Sequence, residues 1–146
     1  MSAKDFFSKE QREDIRQAIM NAELDTSGEI RVHIETNCNG DVLDRAAFLF
    51  KKLNMHETEL RNGVLFYLAV NNRKFAILGD MGINTMVPEN FWDDIKFNLL
   101  NHFRENQFTE GLIEGIGMVG HKLKEHFPYQ KDDINELPDD VSFGEQ

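Results

Sequence analysis

Apolar positions recur along this chain with two different periods. From Val64 to Val70 every residue is apolar and of a strand-forming type, a run too short to be a helix of its own. A strand that is apolar on both faces must be covered on both, so helices are expected on either side of it. Asn71 and Asn72 follow, and both tolerate the positive φ that a tight hairpin turn demands. Phe75 to Leu78 then reads as a second strand, closed by Gly79. Upstream, Glu29 to Thr36 alternates, with Ile30, Val32 and Ile34 on one side and Arg31, His33 and Glu35 on the other. That pattern predicts a strand with one buried face, nearer the sheet edge than the central run.

Elsewhere the spacing is helical. Ser8-Lys9-Glu10-Gln11 has the form of a capping box, and Ile15, Ala18, Ile19 and Ala22 carry a helix from Ser8 to Glu23. Asp41 can cap a second helix bearing Val42, Leu43, Ala46, Ala47, Phe50 and Leu53. A strand, a crossover helix and a strand make a parallel pair. Pro88 suits the first turn of a third helix, faced by Phe91, Trp92, Ile95, Leu99 and Phe103. Thr109 can cap the last helix, with Phe108 stapled onto Ile113. Gly111, Gly115, Gly117 and Gly120 weaken that helix in isolation and imply close backbone packing. The expected architecture is α/β: a small mixed sheet of three to four strands between helices, in three layers.

Composition narrows the function classes. A chain of 146 residues that is 40% hydrophobic, with 12 Phe, buries a real core as one domain. The expected division is an α/β/α domain over residues 1–128 and an acidic, disordered tail over residues 129–146. The tail's last sixteen residues hold six acids and one lysine, half of the net charge of −10. That charge disfavours nucleic acid and anionic membranes, because phosphates would be repelled. It suits divalent cations and basic partners. Cys38 is alone, so no intrachain disulfide forms. The start, MSAKDFFSKEQRED, has no apolar h-region and no window approaches a membrane span, so a soluble, cytoplasmic chain without membrane insertion is expected.

Connectivity then locates the chemistry. If the alternating and central strands are parallel, Glu29 and Asn62 start them at the same end. The hairpin returns Asp80 to that end, and the following helix brings Asp93 and Asp94 there. Two or more carboxylates with amide and backbone oxygens form a hard-cation site for Ca²⁺ or Mg²⁺, with Asp80, Glu29, Asn62 and Asp94 as its members. The blander reading is that Asp93 and Asp94 only complement the helix dipole while Glu29 is solvated. A second candidate, Glu35-x-Asn37-x-Asn39-Gly40, imitates the start of an EF-hand loop, but its twelfth position is Ala46 instead of Glu. It reads as a turn, with Asp41 or Asp44 as its only other oxygen donors. Cys38 and Arg45 lack the spacing and glycines of a cysteine-phosphatase loop. No Walker loop or nucleophile elbow is present.

Three ordered blocks resemble the TPM domain family: Thr26-Ser27-Gly28-Glu29-Ile30-Arg31-Val32, then Arg61-Asn62-Gly63-Val64-Leu65, then Ile77-Leu78-Gly79-Asp80-Met81-Gly82-Ile83. Phe108-Thr109-Glu110-Gly111-Leu112 resembles the start of that family's final helix, and the likeness spans roughly Phe6 to Phe127. The resemblance implies a small sheet between helix layers and binding of divalent metal, notably calcium. Two activities follow from it as expectations. One is a non-catalytic interaction or accessory module, whose cation orders loops for docking onto a partner such as a membrane-anchored protein. The other is a metal-dependent acid phosphatase, with Arg31 and Arg61 as phosphate contacts and no nucleophile identified.

Overall fold

The computed structural model describes residues 2–129 and 141–144. In chain order the elements are α1 (Ala3–Phe6), α2 (Lys9–Ala22), β1 (Glu29–Glu35), α3 (Val42–Lys52) and β2 (Gly63–Ala69). Then come β3 (Lys74–Gly79), α4 (Met81–Asn84), α5 (Asp93–Arg104), α6 (Phe108–Leu123) and β4 (Ser142–Phe143). The sheet order is β3-β2-β1-β4. β1 and β2 are parallel, from Glu29 opposite Gly63 to Glu35 opposite Ala69, and β3 returns antiparallel to β2. The mixed sheet between helices is the expected three-layer α/β/α arrangement.

Its two faces carry different loads. One packs Ile30, Val32 and Ile34 of β1 with Phe66 and Leu68 of β2 against α2, α5 and α6. The other packs Leu65, Tyr67 and Ala69 against Ala46, Leu49 and Phe50 of α3 and against Met55. Every residue of β2 is buried, as its unbroken apolar run demands. The capping box at α2 is complete: Ser8 Oγ accepts from Gln11 N–H, while Gln11 Oε1 accepts from Ser8 N–H. Asp41 caps α3 by accepting from the N–H groups of Leu43 and Asp44. Close backbone packing of α6 is real: a Cβ on Gly120 would stand 2.9 Å from Ala22 Cβ, and one on Gly115 would stand 3.3 Å from the Phe66 ring.

Four local expectations are corrected. β1 is not a one-faced strand near the edge, because Arg45 of α3 reaches onto Glu35 and β4 pairs along its free side, and His33 and Glu35 are buried as well. The hairpin does not place Asn71 or Asn72 at positive φ. Its four-residue loop puts Arg73 there instead, at φ 53°, and Asn72 uses its side chain to accept from Cys38 N–H. Pro88 precedes α5 in a turn closed by Phe91 N–H to Pro88 C=O, so the helix begins at Asp93. Gln107, not Thr109, stands at the N-cap of α6, and Thr109 is buried one residue inside it. Within the acidic tail, Ser142 and Phe143 form β4 on β1, whereas residues 130–140 and 145–146 of the expected disordered segment lie outside the described residues.

Candidate functional site

Parallel pairing aligns the amino ends of β1 and β2, and the hairpin carries the end of β3 back to them. Glu29 N–H donates to Asn62 C=O at 3.2 Å, and Asp80 N–H donates to Gly63 C=O at 2.9 Å. Glu29, Asn62 and Asp80 are all buried there. Asn62 is held by its N–H on Thr58 Oγ1 and by Nδ2 on Ser27 Oγ at 3.5 Å. Three of the four segments expected at one end of the sheet therefore meet there.

Asp80 has a second task there. It caps the short α4 by accepting from Met81 N–H at 2.7 Å, and it receives Arg61 in a bidentate pair, Nε to Oδ2 at 2.7 Å and Nη2 to Oδ1 at 3.0 Å. Arg61 is 41% exposed and sits at φ 50°, in the left-handed region. The loop carrying it lies directly on α4: a Cβ on Gly82 would stand 2.1 Å from Leu60 C=O, and Gly82 N–H donates to Arg61 C=O. Trp92 packs on the end of β3, its ring filling the space beside Gly79. Asp94, two residues further on, is 80% exposed and pairs with Lys122 of α6 at 3.6 Å. Among the described residues, no group of three or more His, Cys, Asp or Glu side chains is placed to hold a metal ion. The oxygens gathered at this end are two carboxylates, one amide and backbone carbonyls.

The opposite end of β1 holds the network that sequence reading misses. Glu35, 1% exposed, receives Arg45 of α3 in a second bidentate pair, at 2.9 and 2.6 Å, and Tyr67 Oη–H of β2 at 2.6 Å. Burial pushes the Glu35 carboxyl up, but the hydrogen bonds from Arg45 and Tyr67 outweigh it, so the group stays below the usual carboxylate range. Tyr67 is pushed up, by burial and by its bond to the Glu35 carboxylate. His33 is pulled down by burial, which the charge of Glu35 only partly offsets, so it is a neutral imidazole near pH 7. Its Nδ1 lies 2.7 Å from Ser142 Oγ, and its Nε2 faces Glu35 Oε2 at 3.7 Å. The signal for this cluster was present in the pattern. If the central strand is apolar on both faces, a helix must lie over it beside the neighbouring strand's polar face, and Arg45 is the cation in that helix's first half. The EF-hand imitation next to it dissolves, since Asp41 is committed to capping α3 and Glu35 to Arg45.

The site and the sheet together define a class: a small α/β/α domain whose polar groups gather at opposite ends of a parallel strand pair. The TPM domain model matches residues 1–122, and the chain belongs to that family. No curated protein matches it. Among solved structures it resembles the NMR structure of BA42 protein from the psychrophilic bacterium Bizionia argentinensis, at 45% identity and a TM-score of 0.92, covering 97% of both chains. It shares its fold with the N-terminal domain of a P. gingivalis protein, at 20% identity and a TM-score of 0.70, over 86% of this chain and 82% of that one. The N-terminal domain of cg2496 protein from Corynebacterium glutamicum is a third likeness, at 13% identity and a TM-score of 0.65, over 97% and 82%. No helix among the described residues is long and apolar enough to cross a membrane.

Proposed function

We propose that this TPM domain is a divalent-cation-binding, non-catalytic accessory module, with Ca²⁺ as the preferred ion and Mg²⁺ as the alternative. One observation carries the reading: two backbone hydrogen bonds, Glu29 to Asn62 and Asp80 to Gly63, draw oxygen-bearing side chains from three segments to one end of the sheet. The donor set is all oxygen, which is what a hard cation takes. Glu29, Asn62 and Asp80 would hold the ion, whereas Asp94, exposed and paired with Lys122, would join only by leaving that partner. Arg61 already compensates Asp80, so a metal has to displace or share with a guanidinium, and modest affinity follows. Filling the site would fix the loops before β1 and β2 and after β3, giving an ordered surface for a protein partner such as a membrane-anchored one.

The phosphatase alternative needs a cationic phosphate contact at the same place, and Arg61 is engaged on Asp80. For that reason the module reading is preferred. An amide NMR titration with Ca²⁺ and with Mg²⁺, on the natural chain and on Asp80→Asn, tests it. Shifts should concentrate at 28–29, 62–63, 79–82 and 93–94, and should largely vanish in Asp80→Asn. Shifts confined to 37–44, or unchanged in the variant, would remove the site. Hydrolysis of p-nitrophenyl phosphate that requires the metal and is lost in Asp80→Asn would replace the module by the enzyme.

A further inference from the structure

The carboxyl end of β1 opens into a cleft of about 540 Å³, a size suited to a small organic ligand. Ligands of open α/β sheets gather outside the carboxyl ends of their strands, which is where this cleft lies. Its floor is Glu35 and Arg45, its apolar walls are Leu49, Leu53 and Phe143, and Lys52 stands on its rim. The lining also includes His33, whose side chain is 5% exposed and whose Nε2 has no hydrogen-bond partner.

The tautomer of that histidine follows from its neighbours. Ser142 Oγ lies 2.7 Å from Nδ1 and also 3.3 Å from Val32 C=O, and it is the Glu35 carboxylate facing Nε2 that favours the proton there. The other tautomer would set a bare lone pair against that negative charge. At 3.7 Å the Nε2–H is too far from Glu35 for a hydrogen bond, and the atom is itself closed to solvent, so His33 enters the cleft as an uncharged wall. Charge selects the kind of ligand. Arg45 and Lys52 are positive and Glu35 is negative, so the cleft carries one net positive charge in a chain of net charge −10.

We propose that this cleft binds a small monocarboxylate with an apolar body. Its head takes the Lys52 ammonium at the rim, and its body lies along Leu49, Leu53 and Phe143, over the neutral His33 ring. A phosphate dianion would leave one charge uncompensated next to Glu35 and is disfavoured. β4 supplies Phe143 as one wall and Ser142 as a partner of the histidine, so these two residues are part of the site. This site is independent of the cation reading, which concerns the other end of the strands.

The test is an amide NMR titration of the full chain with hexanoate, in parallel with hexanol and with inorganic phosphate. Saturable shifts at His33, Glu35, 49–53 and 142–144 with hexanoate, much weaker with hexanol and phosphate, are expected. Lys52→Glu, which changes an exposed side chain, should weaken hexanoate by about tenfold, whereas Lys51→Glu should leave it unchanged. Phe143→Ala should weaken it with the fold's spectrum intact. Absence of saturable shifts, equal binding of hexanol or phosphate, or equal loss in both lysine variants would overturn the proposal.

Discussion

The sheet carries the same chemical pair at each end, an arginine forked onto a carboxylate, in two opposite settings. Arg45 and Glu35 are 22% and 1% exposed, whereas Arg61 and Asp80 are 41% and 6% exposed, so both carboxylates are buried and the second arginine is the more open to water. Both forks have distances near 2.6–3.0 Å, so geometry does not separate them. Burial does. A charge that has left water depends entirely on its partners, while one at the surface exchanges partners with solvent or with an ion. The first pair is therefore the more costly to break, and the second meets water on its arginine side.

The largest effect should come from breaking the buried fork. Arg45→Met strands the Glu35 carboxylate beneath α3 and should cost about 3–5 kcal/mol in urea unfolding. Arg45→Leu combined with Glu35→Leu should recover most of that loss, since no uncompensated charge remains. If the single variant unfolds at the natural chain's urea midpoint, the contrast between the two forks is wrong. Tyr67→Phe removes one hydrogen bond to the same carboxylate and should cost about 1.5–3 kcal/mol by the same measurement. Gly82→Ala comes next. Its methyl would overlap the backbone of the Arg61 loop, an overpacking cost of about 1–3 kcal/mol that should also disturb Arg61 amide shifts.

Acid should reach the buried end in two stages. His33 is pulled below its ordinary value of 6.5, so the unfolded chain binds the extra proton first. Its contribution is complete above that value and is lost as pH falls toward its folded pKa. The charged groups acting on it are Glu35, Arg31 and Arg45, and burial prevails over them. Glu35 is also lowered, so its contribution is present above its ordinary 4.5 and is lost as pH falls through its folded value. Urea midpoints measured from pH 7 to 5 should therefore fall in the natural chain, and His33→Asn should flatten that slope while leaving the second, more acidic loss in place.

What could be read from residues alone divides along the same line. Local signals, the Ser8 capping box and the Asp41 cap, act within one turn of chain, and both stand in the structure as written. The end of the sheet where Glu29, Asn62 and Asp80 meet was legible because strand direction follows from connectivity. Side-chain partners did not follow. The choice of Arg61 for Asp80 depends on a left-handed residue and on a glycine that lets α4 touch the preceding loop. The burial of His33 and Glu35 depends on a segment over a hundred residues away, Ser142–Phe143, pairing with β1. No pattern within β1 itself encodes a neighbour that distant.

The smallest structural change is expected at the exposed fork, and it sharpens the comparison most. Arg61→Gln removes the guanidinium from Asp80 while Met81 N–H still holds one oxygen of the carboxylate, so α4 keeps its cap. Its urea midpoint should move less than that of Arg45→Met, because Asp80 keeps the Met81 N–H and the side vacated by Arg61 is the one nearest water. Its Ca²⁺ affinity should rise, since the ion no longer competes with a resident cation, and the rise should disappear when Asp80→Asn is added. The same titration on Arg45→Lys, which keeps the buried charge, should show no change in Ca²⁺ affinity. An Arg61→Gln chain that loses Ca²⁺ binding would mean that the guanidinium organises the site instead of guarding it.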